Sequence, residues 1–125
     1  MSRRVLVVDD DNNIREVAQT SLELVAGWVV DVAAGGRDAL DLAVAHPPDA
    51  ILLDVMMPSM DGPTTFARLQ ADTRTRGIPV VLLTAKVQPL ERRRWESLGV
   101  AGVLAKPFDP LGLAGQVADL LGWDQ

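Results

Sequence analysis

Short, unbroken apolar runs alternate along this chain with longer stretches in which apolar residues recur every three or four positions. Val5-Leu6-Val7-Val8, Ala50-Ile51-Leu52-Leu53 and Val80-Val81-Leu82-Leu83 are the clearest runs. A segment that is apolar at every position and bounded by Gly or Pro reads as a strand covered on both faces, as in a parallel sheet. The pattern predicts strands over residues 4–9, 28–33, 50–54, 78–83 and 100–105. Ile14, Val17, Ala18, Leu22 and Val25 recur at helical spacing, after a cap at Asp11 or Asn12 and before a stop at Gly27. Further helices are predicted over residues 36–46, 63–71, 89–98 and 110–121. The last contains Gly112 and Gly115, each costing about 1 kcal/mol against alanine, and is therefore expected to be the least stable element. Five βα units joined by short loops predict a doubly wound parallel α/β sheet with helices on both faces. A closed eight-unit barrel would need about twice this length.

Composition narrows the class. At 125 residues, 48% hydrophobic and 23% charged, the chain is expected to form one domain over residues 1–125. No apolar run approaches the roughly 20 residues that span a bilayer. Met1-Ser2-Arg3-Arg4 leads directly into a strand with no small-residue cleavage site, so neither a membrane location nor a signal peptide is expected. Cysteine is absent, which excludes disulfides and thiol catalysis and fits a reducing, cytoplasmic setting. A net charge of −5 disfavours direct nucleic-acid binding. Lys86 with Arg92-Arg93-Arg94 is a local exception: either a solvated helix face balanced by Glu91 and Glu96, or a docking patch for an acidic partner. His46, before Pro47-Pro48, reads as a surface or capping residue.

The strand ends carry the chemistry. In a parallel sheet they share one edge, where open α/β sheets bind ligands. The first strand ends in Asp9-Asp10-Asp11, the third in Asp54, the fourth in Thr84-Ala85 and the fifth in Lys106-Pro107. An acidic pair alone is more often a helix cap or a solvated turn. Joined by Asp54, it points to an oxygen-only metal pocket suited to Mg²⁺, with Asp10 and Asp54 as direct ligands and Asp9 orienting or bonding through water. The Met56 carbonyl can add a neutral oxygen. A metal facing the single ammonium of Lys106 makes a two-sided clamp for a phosphoryl group, to which the Thr84 hydroxyl and Ala85 amide can donate. Asp54 is then either a ligand only or also a nucleophile.

Four segments together, Val5-Leu6-Val7-Val8-Asp9-Asp10-Asp11, residues 52–62 from Leu52 through Asp54 to Asp61-Gly62, Leu82-Leu83-Thr84-Ala85 and Lys106-Pro107-Phe108, resemble the receiver domain of two-component response regulators. The resemblance covers the whole chain. It implies a flavodoxin-like fold with strand order 2-1-3-4-5 and five helices. It implies Asp54 as phosphoacceptor, Mg²⁺ at Asp9, Asp10, Asp54 and the Met56 carbonyl, and Thr84, Ala85 and Lys106 at the phosphoryl group. The Lys106-Pro107 peptide is expected to be cis. Expected partners are a sensor histidine kinase or histidine phosphotransfer protein and a downstream protein target. Self-association is expected to go no further than a weak dimer through helix 4, strand 5 and helix 5.

One position departs from the family pattern. The place three residues before the lysine, commonly aromatic, is Val103, and the chain has no tyrosine. Phosphorylation is expected to survive, with a smaller packing change passed outward through Lys86 and the Arg92–Arg94 face. Trp95 is expected either to pack on strand 5 or to be exposed as a partner or dimer contact, and Trp123 to be exposed or wrapped on the last helix. Because the chain ends shortly after that helix, a stand-alone signalling module is expected rather than an enzyme. A small Mg²⁺-dependent phosphatase is disfavoured because Met56 stands where such an enzyme carries its general acid.

Overall fold

A computed structural model describes residues 3–85 and 88–123. Strands and helices alternate: β1 (Arg4–Val8), α1 (Asn12–Ser21), β2 (Val29–Ala33), α2 (Gly36–Ala45), β3 (Ala50–Asp54), α3 (Gly62–Ala71), β4 (Val80–Thr84), α4 (Pro89–Leu98), β5 (Gly102–Ala105) and α5 (Leu113–Leu121). The five strands are parallel and ordered β2-β1-β3-β4-β5. This is the flavodoxin-like arrangement that the family resemblance implies.

Strand alternation divides the core in two. Leu6, Val8, Ile51, Leu53, Leu82 and Val103 face α2, α3 and α4, where Ala39, Phe66, Leu69 and Trp95 meet them. Val5, Val7, Leu52, Val81, Leu83 and Leu104 face the other way, against Ala18, Leu22, Leu113 and Val117 of α1, its continuation and α5. Every residue of β3 and β4 is buried, which explains why these two strands read as continuous apolar runs. Register then aligns the site. Val8 pairs with Leu53, Asp54 with Leu83, and Thr84 with Ala105. Asp9, Asp54, Thr84 and Lys106 therefore arrive within a residue or two of one level.

Some local expectations give way to tertiary packing. The first helix does not stay α to its stop: Leu22–Ala26 form a π turn before Gly27 takes the left-handed cap at φ 70°. The last helix begins at Leu113 rather than Pro110, so Gly112 is its N-cap and not an interior glycine. The expected glycine penalty is halved, and the helix buries Leu113, Ala114, Val117 and Ala118. Trp95 is buried beside Val100 and Val103, as expected of a residue packed on β5. Trp123 is neither free nor simply folded along α5. It meets Trp28 edge-on, with ring centroids 5.3 Å apart, and the Arg3 guanidinium lies 4.5 Å from the Trp123 ring centre. His46 is exposed at the α2 C-cap. Lys86 lies outside the described residues.

Candidate functional site

Asp9 follows β1, Asp54 ends β3, and Lys106 follows β5, so the sheet itself delivers their side chains to one mouth. The Lys106 ammonium bridges two carboxylates, at 3.0 Å from Asp9 Oδ2 and 2.9 Å from Asp54 Oδ1. Asp9 is fully buried and Asp54 is 2% exposed, while Asp10 stands in solvent at the rim. One carboxylate oxygen from each of Asp9, Asp10 and Asp54 lies within 4.8 Å of the other two. These four expected residues are therefore brought together.

Burial pushes the Asp54 carboxyl up from the ordinary carboxylate range. The Lys106 hydrogen bond offsets this only in part, and the neighbouring Asp9 and Asp10 add to the rise. For Lys106, burial pulls the ammonium down, but the bonds and charges of Asp54 and Asp9 more than reverse it, leaving its pKa raised. The mouth is thus an acidic pocket short of positive charge.

The loops that shape it follow from local sequence. Asp11 caps α1, accepting from the amides of Asn13 (2.8 Å) and Ile14 (3.3 Å), while its own amide donates to Asp9 Oδ1 at 2.9 Å. Asp61 caps α3 through the Thr64 amide at 2.8 Å. Gly62 is required where it stands, because a Cβ there would lie 2.8 Å from the Val55 Cα, and its amide bonds the Val55 carbonyl at 2.9 Å. Ser59, in the same loop, adopts a left-handed φ of 69°. Together these contacts clamp the turn after Asp54.

Thr84 is buried at the end of β4, and its carbonyl accepts from the Lys106 amide at 2.8 Å. Ala85 follows it at the surface, and Met56 lies two residues past Asp54 with its side chain 76% exposed. The Lys106-Pro107 peptide is cis. One participant was invisible to the motif reading: Arg15, on the first turn of α1, donates from Nη1 to the Asp9 carbonyl at 2.7 Å. The signal was available, since helical side chains lean toward the N-terminus and a long cation there can reach the strand end.

Comparison with known proteins agrees with this geometry. The response regulator receiver domain matches residues 5–118. The chain is 37% identical over 121 residues to Response regulator Rre1 of Synechocystis sp., covering 97% of this chain and 52% of that protein. It is 43% identical over 122 residues to Response regulator PleD of Caulobacter vibrioides, covering 96% of this chain and 26% of that protein. Among solved structures, Vibrio cholerae chemotaxis protein CheY4 superposes with a TM-score of 0.89 at 32% identity, covering 96% of this chain and 99% of that one. The chain belongs to the response regulator receiver domain family, the phosphorylation-controlled signalling modules of two-component systems. It spans between a quarter and about half the length of these curated relatives, 26% to 52%. Among the described residues, no helix is long and apolar enough to cross a membrane.

Proposed function

We propose that residues 1–125 act as one receiver unit in which Asp54 accepts a phosphoryl group from a phosphohistidine on a sensor kinase or phosphotransfer protein. The observation that carries the reading is Lys106 bridging Asp9 and Asp54 at the mouth of the sheet. An Asp54 carboxylate oxygen forms a bond to phosphorus as the phosphorus–nitrogen bond breaks, and the leaving imidazole keeps the nitrogen electron pair. Lys106 then turns from counter-ion to clamp: its ammonium holds a phosphoryl oxygen, joined by the Thr84 hydroxyl and the Ala85 amide.

Three carboxylates, with no thiolate or imidazole among the donor groups, form a hard, all-oxygen donor set that fits Mg²⁺. Asp9, Asp10, Asp54 and the Met56 carbonyl would hold it, and when bound it supplies positive charge to the phosphoryl oxygens. The domain acts on its own side chain rather than on a separate substrate, which makes it a switch and not an enzyme in the ordinary sense. The output is a change in protein–protein contact at α4, β5 and α5, where Trp95 and Val103 are packed together. Any self-association there is weak. The acidic balance and absence of cysteine support a cytoplasmic module with no direct hold on nucleic acid.

Intact mass after incubation with Mg²⁺ and acetyl phosphate tests the chemistry. Wild type is expected to gain one phosphoryl group, and both Asp54→Asn and chelation of the metal to abolish the gain. An adduct of equal yield on Asp54→Asn would refute the assignment.

A further inference from the structure

We propose that Arg15 is a positioning residue for the acidic pocket: its guanidinium fixes the main-chain turn that carries Asp9 and Asp10, and so sets the pocket's affinity for a divalent cation. The inference rests on the reading of that pocket as a Mg²⁺ site.

Asp9 is the first residue past β1, where strand pairing runs out. Its amide still donates to the Ala33 carbonyl of β2 at 3.2 Å. Its own carbonyl is taken by Arg15 Nη1 at 2.7 Å, and Nη2 of the same guanidinium holds Asn12 Oδ1 at 2.9 Å. Arg15 is anchored in turn by its backbone amide, which donates to the Asp11 carbonyl at 3.1 Å. The turn is therefore braced from two directions. Asp11 ties to the Asp9 side chain, and Arg15 ties the Asp9 main chain to the helix that follows.

Asp9 needs little further help, being buried and bonded to Lys106. Asp10 is different. It is exposed and no packing holds it, so the main chain on which it sits sets the point from which its carboxylate reaches Asp54. A brace one residue before it fixes that point, as outer groups orient the ligands of metal sites in general.

Charge and position make opposite predictions here. A guanidinium beside a cation site repels the cation, so by charge alone its removal would tighten metal binding. If the brace dominates, removal loosens it. Calorimetric Mg²⁺ titration of the full chain at fixed ionic strength separates the two, with wild type, Arg15→Ala and Arg15→Lys compared. Arg15→Ala is expected to weaken Mg²⁺ binding by about tenfold and to speed amide exchange at residues 10–13. Arg15→Lys keeps the charge and one donor to the Asp9 carbonyl, and is expected to recover most of the affinity. Should Arg15→Ala fail to fold, Asn12→Ala removes the second anchor of the guanidinium and is expected to weaken binding in the same direction.

Unchanged or tighter Mg²⁺ binding by Arg15→Ala, with wild type binding normally, would overturn the inference while leaving the metal site standing. A fall in melting temperature with no change in affinity would reduce Arg15 to a structural brace and overturn it too. Absence of saturable Mg²⁺ binding by wild type would overturn the metal reading first and this inference with it.

Discussion

Helices α4 and α5 flank the same edge strand, β5, but are attached to the sheet in different ways. Over nine residues α5 buries Leu113, Ala114, Val117 and Ala118, whereas α4, over ten, buries Trp95 alone. Around that ring α4 is largely charged and exposed, with Leu90 78% and Leu98 59% open to solvent. Arg92 adds one long contact, 3.4 Å to the Val103 carbonyl. An element held by one side chain can shift without opening the core, while one held by four cannot. The surface of a switch belongs on the first kind, and the scaffold that presents Lys106 on the second.

The sharpest way to break this contrast is Trp95→Ala. Deleting a buried aromatic costs about 3–5 kcal/mol of packing, which is expected to fall on α4 alone. Hydrogen exchange should show residues 89–98 losing protection while 113–121 keep theirs. Equal loss in both helices would mean that α4 is not independently held. On the other side, Gly102 admits Leu120 of α5 so closely that a Cβ would stand 2.7 Å from its methyl carbons. Gly102→Ala is therefore expected to cost about 1–3 kcal/mol through overpacking, read as a lower denaturant midpoint for the whole fold. A neutral result would show that Leu120 or α5 yields at this contact.

Smaller effects come from the acidic mouth between them. Asp54 has a raised pKa when folded, so its ionised form opposes folding, and stability is lost as pH rises from the ordinary carboxylate range through that raised value. Without metal, Asp54→Asn should melt a few degrees above wild type at neutral pH and lose the advantage in acid, where wild type is protonated. A lower melting temperature at neutral pH would contradict the charge imbalance. Lys106 is also raised when folded, so its contribution is complete at neutral pH and fades only as alkali passes its ordinary value of 10.5. Lys106→Met should lack that alkaline limb of the stability curve. An identical limb in both proteins would assign it to other groups.

Sequence pattern reached furthest where burial was complete. The runs of β3 and β4 and the residues closing them, Asp54 and Thr84, could be read because two covered faces leave no polar position to confuse the period. Once Asp9, Asp54 and Lys106 were placed at strand ends, strand order brought them together. Boundaries set by distant neighbours could not be read. Pro110 does not begin α5, and its carbonyl instead accepts from Ser21, 89 residues earlier in sequence. The contact of Trp123 with Trp28 and Arg3 joins the two ends of the described chain, which no local period encodes. Arg15 escaped notice because its work is done on a backbone carbonyl, a partner that every residue possesses and no motif marks.

The three tryptophans are divided by the sheet: Trp95 lies in the layer of α2, α3 and α4, while Trp28 and Trp123 form their edge-on pair in the opposite layer. The protein thus carries its own two-channel optical label. Trp95→Phe leaves the emission of the α1 and α5 side, and Trp28→Phe with Trp123→Phe leaves that of the α2, α3 and α4 side. Light from each half can then be followed separately while phosphate arrives, with no dye attached.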